Sequence, residues 1–551
     1  MKAKSFISFA VCVAVSVLMC SCSNEESADS NNNSNSNSNG QLTAFTGGIA
    51  TEAPMERMQL STPEISTEVP GFLTRTSMSR NDIGHQGVFL WEPKDVIYVE
   101  DDNKTLFKSQ NTINAAVDCA TFLVDGSYTV NGKYDVYYCG TNPGAEKKQV
   151  VIASNQTLAA FNNTKHFGAV GDCGVAKATK TTVEGKSGYS FELAHKASYL
   201  CFLPYMPIKV QRENFRIKRI EITSNNNIAG TYELTQDGLS KGTNESKTIT
   251  LNVGTDGKGL KLVDQATETK SIKNSLYVVI APGTHTLKVK YTISDAKNTE
   301  ATITKSYPSH NFGANKICDI PVDLGVRHYS GHNYYMWDAA ENYWYGHEWD
   351  ATTPWQPTTN GASNGNYPKE AADSRWYNER SGAFEASNSL FKQLPNANEM
   401  AWYVLKGDAR WDESTPWEVL GRIYKRGIWL KKLSVIAKEN GDKKPADLKL
   451  KDPNDKDLRA SAGDYVSSFG TESVKPTDSE ISDYFFLPAL GFYSEGQFYS
   501  LCFIGYYWSS SADPLNSSNA YNLIFSRENV HLSFSSRPFV YVALPFEQSP
   551  R

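Results

Sequence analysis

The run Leu276-Tyr-Val-Val-Ile-Ala-Pro-Gly-Thr-His-Thr-Leu-Lys-Val-Lys-Tyr-Thr-Ile293 sets the fold class for the first half of this chain. Two apolar, β-branched runs flank Ala281-Pro-Gly-Thr-His285, where Pro282 presets φ and Gly283 permits the left-handed position of a turn. In the second run Leu287, Val289, Tyr291 and Ile293 face one side, and Lys288 and Lys290 face the other. That alternation predicts antiparallel sheet with one packed and one wet face. Val96-Ile-Tyr-Val99, Ser198-Tyr-Leu-Cys-Phe202 and Arg216-Ile-Lys-Arg-Ile-Glu-Ile222 follow the same rule. From Leu42 to Leu324 such runs are separated by Gly, Asn, Asp and Pro clusters, with no long stretch of helical period, as in antiparallel sandwiches.

Several pieces of this region also occur together in a known order: Leu42-Thr-Ala-Phe45-Thr, Thr74-Arg-Thr76, Phe89-Leu-Trp91-Glu-Pro-Lys-Asp95-Val-Ile-Tyr-Val99, Phe191-Glu-Leu-Ala-His195-Lys-Ala-Ser-Tyr-Leu200 and Val279-Ile-Ala-Pro-Gly283. The set resembles the fimbrillin family of Bacteroidetes pilus proteins. The resemblance implies two transthyretin-like β-sandwiches, 41–185 and 186–325, the second opened by the strand from Phe191 to Phe202, with assembly by donor-strand exchange. In that mode a sandwich lacking one strand exposes unpaired backbone and an apolar groove, which a neighbour's strand fills. The family's proteolytic cut after an arginine near the first strand implies Arg75 or Arg57 as the cleaved residue, both expected in loops. His195 stands in an apolar strand with no nucleophile beside it and reads as a core histidine.

Ten of the eleven tryptophans lie beyond residue 336, so 326–551 has a different core chemistry. Asn396 followed by Glu399, with Gly407 beyond, is a capping-box pattern that predicts one short helix burying Met400, Tyr403 and Val404. Gly427-Ile-Trp429-Leu-Lys, Phe485-Phe-Leu-Pro488-Ala-Leu-Gly491, Gly505-Tyr-Tyr-Trp508-Ser-Ser-Ser511 and Ala520-Tyr-Asn-Leu-Ile-Phe525 read as core strands. With the closing Arg537-Pro-Phe-Val-Tyr-Val-Ala, they resemble the Fibrobacter succinogenes major paralogous domain, which implies a mixed α+β, C-type-lectin-like recognition domain over 326–551. Ser536-Arg537-Pro538-Phe539 departs from that family's usual closing motif.

A fold does not fix an activity. Gln356-Pro-Thr358 and Leu394-Pro-Asn396 are the nearest strings to a calcium lectin's motif, and Trp-Asn-Asp is absent, so six to eight calcium oxygens are hard to assemble and no metal or cofactor is expected. Formylglycine-generating enzymes of this fold need a pair of reactive cysteines, and only Cys502 lies here; with no nucleophile, base and orienter together, no enzyme is expected. Between Tyr329 and Tyr377 aromatics are dense among Asn, Asp, Glu, His and Gly. A flat apolar ring with a polar edge suits a sugar face or a protein anchor, which nominates Tyr343, Trp344, Tyr345, Trp349, Trp355 and Trp376 for ligand contact. The same rings, Trp337 and Trp344 above all, could fill the core instead, and Trp508 is assigned there. The exposed binding loop is expected between Trp344 and Asn366.

At the other end, Lys2 and Lys4, an apolar run from Phe6 to Met19 and then Cys20-Ser-Cys22 form a short targeting segment. It resembles a bacterial lipoprotein signal (1–21) with Cys22 acylated, for example by palmitate; Met19 before Cys20 fits less well. A flexible Asn/Ser tether (22–40) follows, whose Glu25 and Glu26 resemble a surface-export signal. At 551 residues the chain exceeds one core, and three folded units are expected. A net charge of -5 argues against nucleic acid as a partner. Cys119, Cys139, Cys173, Cys201, Cys318 and Cys502 permit disulfides in an exported chain, with no pairing readable, though some suit buried apolar sites. The expected protein is a non-enzymatic outer-membrane lipoprotein of a fimbrium, a tip or accessory pilin whose partners are other pilin subunits and a glycan or a host or bacterial surface protein. The alternative is a stand-alone surface glycan-binding lipoprotein that does not polymerise.

Overall fold

A computed structural model describes residues 42–47, 55–57, 77–79, 88–110, 113–142, 147–183, 186–263, 272–379, 385–469 and 475–547. Strands hold 44% of the chain and helices 8%, so the mainly β class holds. Cys22 and Arg75 lie outside the described residues.

The first unit is one 8-stranded sheet. Thr43–Gly47 lies in its interior, antiparallel to Ala120–Val124 and parallel to Lys186–Phe191. The path continues through Gly174–Val183, Lys133–Tyr138 and Tyr98–Glu100 to Leu106–Lys108. Just past that last strand, Gln110 N donates to Leu123 O at 2.8 Å, so the two ends of the sheet meet. A curled sheet therefore replaces the expected two-layered sandwich here; period-2 alternation is identical in both arrangements. Phe45, Trp91, Phe122, Val136, Tyr138 and Tyr189 fill its interior. The division expected at 185/186 falls inside the hairpin formed by Gly174–Val183 and Lys186–Phe191, whose second strand belongs to the first sheet.

The second unit packs a 6-stranded sheet on a 4-stranded one. Its core joins Ile217, Ile220, Ile222, Val289, Tyr291 and Ile293 of the first to Leu200, Phe202, Val278, Ile280 and Ile320 of the second. The ring centroids of Phe202 and Tyr291 stand 5.7 Å apart, edge to face. Leu276–Ile280 and Gly283–Ser294 are strands as expected, and Lys288 and Lys290 are exposed between buried Leu287, Val289 and Tyr291. They are not partners of each other. Leu276–Ile280 pairs with Ser198–Tyr205, whereas Gly283–Ser294 pairs with Arg216–Ser224 and Glu300–Phe312, so the Pro-Gly turn carries the chain from one sheet to the other.

Three strands of this unit come from earlier in the chain. Gln149–Ile152 pairs with Ala229–Thr235, and Asn155–Leu158 runs parallel to Thr248–Val253. Met55–Arg57 adds, parallel, to Ile317–Asp323 with Arg57 opposite Asp319. Arg57 therefore sits in a short edge strand and not in the expected loop. His195 is buried between the two units, its Nδ1 2.7 Å from Asp172 Oδ1 and its ring stacked on Phe89 at 4.2 Å. Cys139, Cys173, Cys201 and Cys318 are buried core side chains, and burial pushes the Cys139 thiol up to about 12.

In the C-terminal region a 6-stranded sheet runs Tyr334–Tyr335, Tyr541–Val542, Gly505–Ala512, Asn519–Phe525, Asn529–Ser536, Tyr465–Ser468. Its first and last segments in sequence pair with each other, Tyr334 opposite Val542. The helix occupies Ala397–Lys406; the Asn396 side chain accepts from Glu399 N and the Glu399 carboxylate accepts from Asn396 N. Met400, Tyr403 and Val404 are buried against the sheet. Trp337, Trp344, Trp417, Trp429 and Trp508 are all fully buried.

This region is seated on the second unit and is less autonomous than a separate domain at 326 implies. Ile423 is buried in the second unit's core, and the Gln211 side chain both donates to Val326 O (2.8 Å) and accepts from Val326 N (3.1 Å). Buried Asp295 accepts from Lys297 N, Thr299 N and, across the seam, Ile423 N (3.1 Å), with Arg422 Nε 3.9 Å away. Removing the Asp295 carboxylate strands the buried Ile423 N–H and takes away the charge that faces Arg422. Asp295→Ala is therefore expected to uncouple the two parts, resolving in scanning calorimetry a separate, lower melting transition for 326–547; a single unshifted transition would contradict this.

Candidate functional site

The six aromatic residues nominated above do not form one surface. Tyr343 and Trp344 are 0% and 1% exposed, so Trp344 is withdrawn to the core and Tyr343 serves as a floor; an apolar ring of that size stabilises more by packing than by stacking on a transient ligand. Tyr345 is 54% exposed but stands apart. Trp355 stacks on His347, and Trp349 lines a separate cleft of about 440 Å³ with His332, Asp350 and Lys209. The expected loop, 344–366, has exposed stretches but is pinned at buried Gln356, whose side chain donates to Gly331 O (2.8 Å) and accepts from Trp349 N (3.1 Å).

Trp376 opens onto a groove of about 570 Å³ with Tyr343 in its lining. Tyr367, Pro368 and Lys369 form one wall, Ser494 and Glu495 a second, and Ser536, Pro538 and Phe539 a third. Tyr367 and Trp376 are half-buried, Phe539 is 36% exposed, and Lys369 and Glu495 are exposed at the rim.

Local folding fixes each wall. Arg375 clamps Asp373 through Nε (3.0 Å) and Nη2 (2.7 Å), and its Nη1 donates to the carbonyls of Tyr343 (3.4 Å) and Asn366 (3.3 Å). Hydrogen bonding from Arg375 holds the Asp373 carboxyl below the usual carboxylate range. The Trp376 indole N–H donates to Glu379 Oε1 at 2.7 Å, which sets the ring's tilt. The Lys369 ammonium lies 4.9 Å from the Tyr367 ring centre, a cation–π contact.

The second wall is the hairpin of Phe492–Ser494 and Gln497–Tyr499, turned by Glu495 (φ 49°) and Gly496 (φ 77°). Both turn positions are left-handed, as a two-residue hairpin turn demands. A Cβ at Gly496 would stand 2.1 Å from Asn364 O, so only glycine fits, and Gly496 N in turn donates to the Tyr343 hydroxyl at 3.0 Å. Beneath the third wall the Arg537 guanidinium is buried over Trp337 (4.4 Å) and donates to the carbonyls of Asn519 and Asn378.

Sequence reasoning missed Tyr367, Lys369, Glu495 and Phe539. Tyr367 lay inside the aromatic-dense stretch, and Phe539 belongs to the Ser536–Phe539 string that departs from the resembled family's closing motif. Nothing in the local sequence marks Glu495, which lies 119 residues beyond Trp376 in sequence (495 − 376) and reaches the groove through the hairpin.

No family model and no curated protein matches the chain. Among solved structures it aligns with a candidate cell adhesion protein of Bacteroides eggerthii (10% identity, 53% of this chain, 88% of that one, TM-score 0.27). A candidate cell adhesion protein of Bacteroides ovatus aligns over 50% of this chain and 93% of its own (14% identity, TM-score 0.28). A fimbrial protein of Bacteroides ovatus aligns over 82% of this chain and 94% of its own (11% identity, TM-score 0.21). At these scores the alignments carry no argument about fold or activity.

Proposed function

We propose that this chain is a non-enzymatic surface lipoprotein, a tip or accessory pilin whose N-terminal β-units join a fibre by donor-strand exchange, and that its lectin-like C-terminal region contacts a glycan or a surface protein. The observation that carries the reading is the placement of the terminal strands. Thr43–Gly47, near the N-terminus, is an inserted strand: without it Ala120–Val124 and Lys186–Phe191 would each lose a backbone partner and the Phe45 site would open. Asn529–Ser536 and Tyr541–Val542, by contrast, are engaged within their own sheet, which supports a subunit that keeps these two strands for itself. A subunit that accepts a strand and donates none ends a fibre.

The test is limited digestion of the full chain with an arginine-specific protease, the cut located by mass spectrometry and the product sized. Cutting at Arg75 or Arg57 is expected to release the first strand and yield complexes with major pilin. A cut product that loses the strand yet stays monomeric with pilin present would leave only the non-polymerising glycan-binding lipoprotein.

A further inference from the structure

We infer that the groove between Tyr367, Trp376 and Glu495 binds an uncharged oligosaccharide without a metal ion. The inference rests on reading the C-terminal region as a recognition module. Its volume of about 570 Å³ lies within the range of small-molecule sites. Trp376 and Phe539 are partly exposed aromatic residues of the lining, the kind of side chain on which the C–H face of a pyranose packs while its hydroxyls point outward, and Tyr367, beneath the Lys369 ammonium, closes the wall beside them.

Charge selects among ligands. Lys369 supplies donors on one rim and Glu495 an acceptor on another, so a strongly anionic or cationic ligand meets a like charge, whereas a hydroxyl, being both donor and acceptor, uses each. The hydroxyls of Ser494 and Ser536 extend the same chemistry along the lining. The walls are fixed beforehand by the Arg375–Asp373 clamp and the Gly496–Tyr343 hydrogen bond, which reduces the ordering cost of binding. Among the described residues no three His, Cys, Asp or Glu side chains converge as a metal site would require. A protein loop could also stack on these rings, but it would leave the two opposed rim charges without a systematic partner.

The experiment titrates the full chain with xylohexaose, mannohexaose, cellohexaose, maltohexaose and galactohexaose, and with trigalacturonate and sialyllactose as charged controls, following tryptophan fluorescence. At least one neutral probe is expected to saturate, unchanged by EDTA, and to weaken about tenfold in Trp376→Ala, the worth of one lost ring contact. Glu495→Gln, an exposed substitution that leaves packing intact, is expected to weaken it several-fold, and Trp355→Ala to leave it unchanged. Failure of every neutral probe, binding by charged probes only, loss in EDTA, or full affinity in both groove variants would overturn the inference. Pilin association after proteolysis is read in parallel: if it persists while no neutral probe binds, the sugar site falls and the fibre reading stands.

Discussion

Phe45→Ala is expected to lower the stability of the first unit by about 3–5 kcal/mol, the usual cost of emptying a buried phenylalanine site. Phe45 is fully buried, stacked on Tyr189 and edge-on to Tyr128 with ring centres 5.0 Å away in each case. Its strand is only five residues long, and the neighbouring Thr46 hydroxyl reaches Thr121 Oγ1 at 3.0 Å. The side chain is thus the main apolar anchor of an element otherwise held by ladder hydrogen bonds, whose net worth is modest. Urea unfolding followed by near-ultraviolet dichroism measures the loss, and hydrogen exchange should show Ala120–Val124 losing protection first. A loss below about 1 kcal/mol would mean that the strand's backbone alone secures it.

Acid is expected to weaken the C-terminal region through Asp412. This buried carboxylate accepts from Ser414 N and Oγ (2.6 Å each), Thr415 N and Oγ1, and the Trp429 indole (2.9 Å). Burial alone would raise its pKa, but the bonds from Ser414, Thr415 and Trp429 outweigh it and hold the group at about 2. An unfolded-state value near ~3.9 makes this a depressed pKa, so the stabilisation, about 2–3 kcal/mol, is complete above pH ~4 and disappears as pH falls toward ~2. Denaturant titrations across that window should show a slope that Asp412→Asn removes. Asp412→Ala, which strands the Trp429 and Thr415 donors, is expected to cost about 3 kcal/mol at neutral pH; an unchanged acid slope in Asp412→Asn would assign it to other carboxylates.

Which side chains face inward was legible; which strands meet was not. Leu287, Val289 and Tyr291 alternate with lysines as their period requires, yet that period is silent on whether the Pro282-Gly283 turn closes a hairpin or crosses between sheets. The short helix was readable because Asn396 and Glu399 satisfy backbone donors locally. The groove was half legible, since aromatic density located Trp376 but could not separate rings that pack, such as Trp344, from rings that face water. Glu495 needed the register of a distant hairpin, which is a tertiary fact.

The early placement of Gln149–Ile152 and Asn155–Leu158 in the second unit has a mechanical corollary. The chain leaves the first sheet, lays these strands into the second unit, and returns to finish the first with Gly174–Val183 and Lys186–Phe191. Neither unit can be drawn out under tension without shearing strands of the other. Two units laced in this way are expected to yield to stretching as one element, with a single rupture force where two independent beads would give two.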